Sequence, residues 1–201
     1  MACQRFSLES IAPVSWKNGG GSTCELACWP PDAGMDSFDW RVSIATINAA
    51  GPFSVFAGID RIITLLDGAG VHLRTRDGCV DHRLDTPLVP FPFSGDVVLD
   101  ATPLGGASTD FNVMVRRGRL RAALHVCHDA CALSPCPHGL LLARHGHWRV
   151  DGLPPHSAQA AALTPSQGLW WADSDAVPCL CPDDTPGTSL LAVLIHNDWI
   201  P

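Results

Sequence analysis

The sequence predicts an all-β protein whose two halves follow one pattern. Three observations carry this. Helix-period segments are scarce, while 18 glycines and 17 prolines punctuate the 201 residues, which is a turn-rich globular composition. The stretch from Gly51 to Leu73, GPFSVFAGIDRIITLLDGAGVHL, passes from one strand signal to the next with no helix-length segment between them. Matched features then recur at near-constant spacing: Gly68 to Gly146 is 78 residues and Asp96 to Asp173 is 77, the mark of an internal duplication. A chain of this size can bury roughly 70% of its unfolded surface and needs no covalent staples.

In order, residues 1–12 read as a short opening strand with Phe6, Leu8 and Ile11 as its apolar positions. WKNGGGSTCELACWPP follows. Gly19, Gly20 and Gly21 give a backbone able either to approach a ligand closely or to form a flexible loop, and a Walker-type phosphate loop is excluded because the Gly-Lys-Ser/Thr ending is missing. Thr23 to Trp29 alternates, with Thr23, Glu25 and Ala27 to one side and Cys24, Leu26 and Cys28 to the other. Asp39 to Ile47 sets Trp40, Val42 and Ile44 against Arg41, Ser43 and Ala45, and Asp110 to Val115 sets Asp110, Asn112 and Met114 against Phe111, Val113 and Val115. Phe53 to Phe56 reads as a strand. Ile62 to Leu66 and Val71 to Leu73 read as two more, joined through Asp67-Gly68, a turn expected to place both central residues at positive φ. Asp77-Gly78 and the Phe91 to Asp96 stretch are further turn signals, with Val97 to Leu99 as a strand. The second half answers with Leu140 to Arg144, Trp148 to Val150, Leu169 to Asp173 and Leu190 to Ile195. The last has lost the polar alternation and reads as a buried strand.

Three first-half strands therefore carry a polar pair on one face. A solvated face would be filled by long Lys and Glu, whereas these residues are mostly short, with one Glu and one Arg. Such groups suit a preorganised pocket in a barrel mouth, and an ordinary wet sheet face is the alternative.

The net charge of −7 and pI near 5.6 argue against nucleic acid, and the run Arg116, Arg117, Arg119 and Arg121 reads as a charged hairpin or edge strand. No signal-peptide core and no membrane-length apolar run is present, so a cytoplasmic protein with no membrane association is expected. Nine cysteines without an export signal point to free thiols. Cys127, His128, Cys131, Cys136 and His138 offer zinc-type donors, yet only Cys127 and Cys131 have the spacing of a zinc hook, and free thiols between the halves are the simpler reading.

The chain resembles the HutD/Ves family of bacterial bicupins. Four separated motifs carry the resemblance: Trp16 to Glu25 (WKNGGGSTCE), Phe38 to Ala45 (FDWRVSIA), Gly51 to Arg61 (GPFSVFAGIDR) and Asp110 to Met114 (DFNVM). The resemblance implies two tandem cupin-like (jelly-roll) barrels, residues 1–118 as an N-terminal barrel with a ligand pocket and 119–201 as a degenerate C-terminal barrel serving as structural support or homodimer surface. It also implies an accessory or regulatory factor of histidine utilisation that binds a small carboxylate metabolite; the alternative is a cupin-type isomerase or hydrolase acting on an intermediate of that pathway. Mapped onto this chain, the ligand-binding positions fall on Asn18, Thr23, Glu25, Arg41, Ser43, Arg61, Asp110 and Asn112.

Each position has a chemical reading beside the resemblance. Arg41 and Arg61 match a carboxylate with their guanidinium forks, or pair internally with Glu25 or Asp110. Asn18 and Asn112 can orient a ligand. Glu25 could serve as a base, but one carboxylate with no acid or nucleophile beside it assigns no catalytic residue. Cupin metals are held by a His-X-His pair with Glu and a further His. The first half has Ile59-Asp60-Arg61 in that place, and His145-Gly146-His147 lies at a turn without a fitting Glu, so neither metal nor cofactor is expected.

Overall fold

The computed structural model describes residues 2–153, 161–174 and 176–198. The chain opens with β1 (Ala2–Ser7) and a 3-10 turn at Leu8–Ser10, then divides into two compact units. One, Ile11–Arg119, holds β2 (Val14–Ser15), β3 (Gly21–Trp29), β4 (Trp40–Ile47), β5 (Gly51–Pro52), β6 (Ile59–Gly68), β7 (Val71–Thr75), β8 (Asp81–Leu84), β9 (Phe91–Ser94), β10 (Leu99–Pro103) and β11 (Ser108–Arg116). The other, Leu120–Pro201 with Met1–Ser10, holds β1 and β12 (Leu120–Cys127), β13 (Cys131–Ala132), β14 (His138–His145), β15 (Trp148–Asp151), β16 (Ala161–Leu163), β17 (Gln167–Ala172), β18 (Cys179–Pro182) and β19 (Ser189–Asn197). No helix among the described residues is long and apolar enough to cross a membrane.

Within the first unit a sheet in the order β2-β3-β4-β11-β6-β9 faces one in the order β5-β10-β7-β8. The second unit pairs β1-β17-β14-β19-β12 with β13-β18-β15-β16. Removing β1, β2 and β3 leaves eight strands in each unit with one and the same pairing order, β4 to β11 matching β12 to β19 one for one. The duplication read from spacing is thus a duplicated topology.

The first unit's core shows which face lies between its sheets. Ile47, Ile63 and Leu65 from the six-stranded sheet cluster with Val71, Leu73, Leu84 and Ala101 from the other, with Trp16, Phe53, Phe91 and Phe93 against them. At the opposite end of β6, Phe38, Ile59 and Met114 form a second apolar cluster. In the second unit the corresponding space is filled by one large cluster including Leu141, Trp148, Leu169, Trp171, Leu190, Ala192 and Leu194.

Several local expectations are corrected. β1 does not open the first barrel: it is an edge strand of the second unit, with Ala2 opposite Ala172 and Phe6 opposite Gly168. Phe53 to Phe56 is a loop: Phe53 packs against one apolar cluster and Phe56 against the other, while Val55 between them is exposed. At Asp67-Gly68 the positive φ falls on Gly68 and Gly70 and not on Asp67, so the connection is not the primed two-residue turn. The glycine triplet has local reasons. Gly19 takes φ 72°, and a Cβ on Gly21 would come within 2.2 Å of the Thr46 carbonyl oxygen and 3.0 Å of the Trp16 ring.

Candidate functional site

Antiparallel residues that face each other across a ladder point to the same side of the sheet. Asn112 is opposite Ser43 on β4 and Ile63 on β6, Met114 is opposite Arg41 and Arg61, and Glu25 is opposite Ser43. Since Ile63 lies in the core between the sheets, Glu25, Arg41, Ser43, Arg61, Asp110 and Asn112 all face that interior. They form a polar band between the two apolar clusters. Arg41, Ser43, Arg61, Asp110 and Asn112 are buried, while half of the Glu25 side chain is exposed.

Arg41 donates from Nε to Glu25 Oε2 at 2.6 Å and reaches Ser43 Oγ at 3.5 Å from Nη1. Among the two alternatives for its partner, Glu25 is the one realised. Arg61 is placed differently. Its Nη2 donates to Asn112 Oδ1 at 3.1 Å and its Nη1 to the Ser54 carbonyl at 3.3 Å, while Nε is buried with no hydrogen-bond partner. Three phenyl rings surround the guanidinium, with its carbon 5.3 Å from the Phe53 centroid, 5.4 Å from Phe56 and 4.8 Å from Phe93. Among the described residues no carboxylate reaches it. Burial first, and the neighbouring Arg41 charge second, push its pKa down from 12.5 to about 9, which still leaves it charged at neutral pH.

Asp110 is fully buried and, among the described residues, its carboxylate accepts from Ser108 Oγ alone, at 3.0 and 3.2 Å. Burial raises its pKa from 3.8 to about 7, against the lowering effect of the Ser108 hydroxyl. Asn112 Nδ2 donates to the Asp110 carbonyl at 3.4 Å. Thr23 is a neighbour by register, opposite Ala45, but its Oγ1 is taken by Trp16 Nε1 at 2.7 Å. Asn18 lies outside the band: its Oδ1 accepts from the Gly20 N–H at 3.0 Å and shapes the exposed glycine loop.

The structure adds residues that alternation alone did not single out. A β-bulge at Leu26 places Ala27 opposite Val42 and Cys28 opposite Arg41, so Cys28 and not Ala27 shares the face of Glu25. Burial and the Glu25 charge raise the Cys28 thiol pKa. Phe53, Phe56, Phe93, Ser54 and Ser108 complete the band's surroundings. Phe53 and Phe56 lie in the GPFSVFAGIDR motif, where their hydrophobicity alone reads as a strand.

The second unit lacks these groups at the matching register positions. Ala123, Gly139, Leu190 and Ala192 stand where Arg41, Arg61, Asp110 and Asn112 stand in the first. A Cβ on Gly139 would meet the Trp171 ring at 2.3 Å, so Trp171 fills the place that the Arg61 side chain occupies in the other copy. Among the described residues no three His, Cys, Asp or Glu side chains converge as metal ligands. His145 bonds Ser189 Oγ at 3.2 Å and His147 pairs with Asp183 at 2.8 Å, both at the β14–β15 hairpin.

Comparison with known proteins places this geometry in a family. The HutD family model matches residues 9–186. Protein Ves from Cronobacter sakazakii is 34% identical over 169 residues, covering 84% of this chain and 86% of that protein. The structure of HutD from Pseudomonas fluorescens SBW25, solved in a formate condition, superposes with a TM-score of 0.81 at 27% identity, covering 98% of this chain and all of the other. A cupin 2 conserved barrel domain protein from Leptotrichia buccalis shares the fold alone, with a TM-score of 0.58 at 8% identity and coverage of 96% of each chain. The chain is a tandem cupin-like β protein and belongs to the HutD/Ves family.

Proposed function

We propose that the first barrel binds a small carboxylate metabolite through Arg61 and Arg41, and that the protein serves histidine utilisation as an accessory or regulatory factor. The carrying observation is Arg61, a buried guanidinium that has aromatic faces and two neutral acceptors but, among the described residues, no counter-ion. Burying a charge without an opposite one is unfavourable, and a carboxylate seated between Arg61 and Arg41 supplies it. Glu25 holds Arg41 at Nε, so this pair orients the fork instead of using it up. Asn112 and Ser43 are neutral hydrogen-bonding groups placed to set the ligand's orientation. The link to histidine utilisation rests on the family, and the formate condition of the Pseudomonas fluorescens HutD structure makes formate a suitable minimal probe.

The test is a thermal-shift screen with formate, histidine, urocanate and the formyl and formimino derivatives of glutamate. At least one carboxylate is expected to raise the melting temperature of the unaltered chain and to leave Arg61→Ala and Arg41→Ala unmoved. No shift with any of them, or equal shifts in both variants, rejects the carboxylate clamp.

Asp110 favours a second reading, a cupin-type isomerase or hydrolase, because a buried carboxyl near pH 7 has the pKa that acid–base chemistry needs. Product formation from the same compounds, with and without chelator, separates catalysis from binding.

A further inference from the structure

We infer that β12 is the docking edge for a second copy of this chain, the two strands pairing antiparallel about a two-fold axis through Leu124. β12 ends its five-stranded sheet and is paired on one side only, with β19. In an antiparallel ladder every second residue of an edge strand turns its N–H and C=O away from its neighbour. Among the described residues, no backbone group bonds those outward-turned groups of residues 120–127.

The duplication shows what such an edge accepts. In the first unit the matching strand, β4, carries the nine-residue β3 on this side, from Gly21 opposite Ile47 to Trp29 opposite Trp40. In the second unit β12 follows β11 directly after residues 117–119, and no counterpart of β3 exists among the described residues. β12 also lacks the devices that keep an edge from pairing. The other edge strands are two to six residues long, whereas β12 has eight. LRAALHVC contains no Pro, Lys, Asp or Glu, and its eight pairs with β19 run without a bulge.

The strand is complementary to itself. Ala122, Leu124 and Val126 lie opposite the fully buried Ile195, Val193 and Leu191 but are only half-buried, so an apolar row runs out of the sheet and stops at its edge. Arg121 and His125, on the other face, are exposed. A two-fold axis normal to the sheet keeps each face continuous only if it passes through a residue. Through Leu124 it sets Leu124 against its own copy, Ala122 against Val126, Ala123 against His125 and Arg121 against Cys127. Apolar side chains then meet on one face, and no two basic side chains stand opposite each other. Through Ala123 it would oppose Arg121 to His125, and through His125 it would oppose the two imidazoles. The Leu124 register turns two five-stranded sheets into one of ten strands, a size that natural sheets reach.

Sedimentation velocity of the full chain over a wide concentration range tests this, with Leu124→Lys and Leu124→Glu alongside. The unaltered chain is expected to sediment as a dimer that dissociates on dilution. Each variant alone sets like charges against each other at the axis and is expected to be monomeric with an unchanged far-ultraviolet circular dichroism spectrum; mixed together, the two are expected to recover the dimer. An unaltered chain that stays monomeric, a dimer that survives in both variants, or a mixture that stays monomeric overturns the inference. Growth past the dimer does so too, since it means an open head-to-tail contact. Hydrogen exchange on the unaltered chain reads the same edge with no substitution: amides of residues 121–127 should gain protection as the dimer forms, and a dimer without that gain also overturns the inference.

Discussion

Replacing Arg61 with methionine separates the stability of the first barrel from its chemistry. Methionine keeps an unbranched apolar side chain among Phe53, Phe56 and Phe93 but removes the charge. The fall in the Arg61 pKa to about 9 corresponds to on the order of 5 kcal/mol by which the fold disfavours the charged guanidinium relative to the unfolded chain. Because the folded value lies below the unfolded one, this penalty is complete at pH 7 and is relieved only as pH rises through about 9. Ring contacts of roughly 0.5–2 kcal/mol each, and the bonds to Asn112 and Ser54, offset part of it. Arg61→Met without ligand is therefore expected to be more stable than the unaltered chain by about 1–4 kcal/mol, the range seen when buried ionic groups are replaced by apolar ones. Urea denaturation at pH 7 reads this, and the same variant is expected to lose all stabilisation by carboxylates. A variant clearly less stable than the unaltered chain would refute the reasoning, since the guanidinium would then be satisfied by its own surroundings and need no anion.

Other outcomes follow from the same geometry. Asp110 holds its proton more tightly folded than unfolded, so stability should fall as pH rises from about 4 to about 7, by on the order of 4 kcal/mol. In Asp110→Asn denaturation midpoints should be flat across that window, and an unchanged slope would remove Asp110 as the cause. Glu25→Gln releases Arg41 from its half-exposed partner and should tighten carboxylate binding roughly two- to fivefold in a direct titration, the scale of a surface ion pair; weaker binding would show that Glu25 is needed to position the fork. Asp96 is held at a pKa of about 2, chiefly by Arg117 and then by the Gly58 N–H. Carboxyl NMR of Arg117→Ala should move its midpoint back toward ordinary values. Gly139→Ala should destabilise the second barrel by roughly 1–3 kcal/mol, because the new methyl meets the Trp171 ring and the Val193 carbonyl oxygen, 2.8 Å away; no loss on calorimetry would contradict the register equivalence with Arg61.

Period-two alternation made much of this legible. It put Arg41 with Ser43 and Asp110 with Asn112 on their observed faces, and it read β19 as buried throughout its centre. Alternation assumes an unbroken ladder, however, and the Leu26 bulge inverts the end of β3, which brought Cys28 rather than Ala27 to the band. A bulge has no local residue signature here. The pairing of β1 with β17 was equally hidden, because a strand's partner 160 or more residues away leaves no trace in its own pattern. The bond from the Gly20 N–H to Asn18 Oδ1, which closes the glycine loop on itself, is a turn contact that alternation does not reveal. Phe53 and Phe56 carried the hydrophobicity of a strand, and their use as faces for a cation appears only once Arg61 is placed in three dimensions.

The most direct measurement is a crystal structure of the chain grown with N-formylglutamate at saturating concentration. The account predicts a ligand carboxylate inside the first barrel, about 2.7–2.9 Å from a guanidinium nitrogen of Arg61 or Arg41. An ordered ligand elsewhere on the chain, or a first-barrel interior that stays without one, would contradict it.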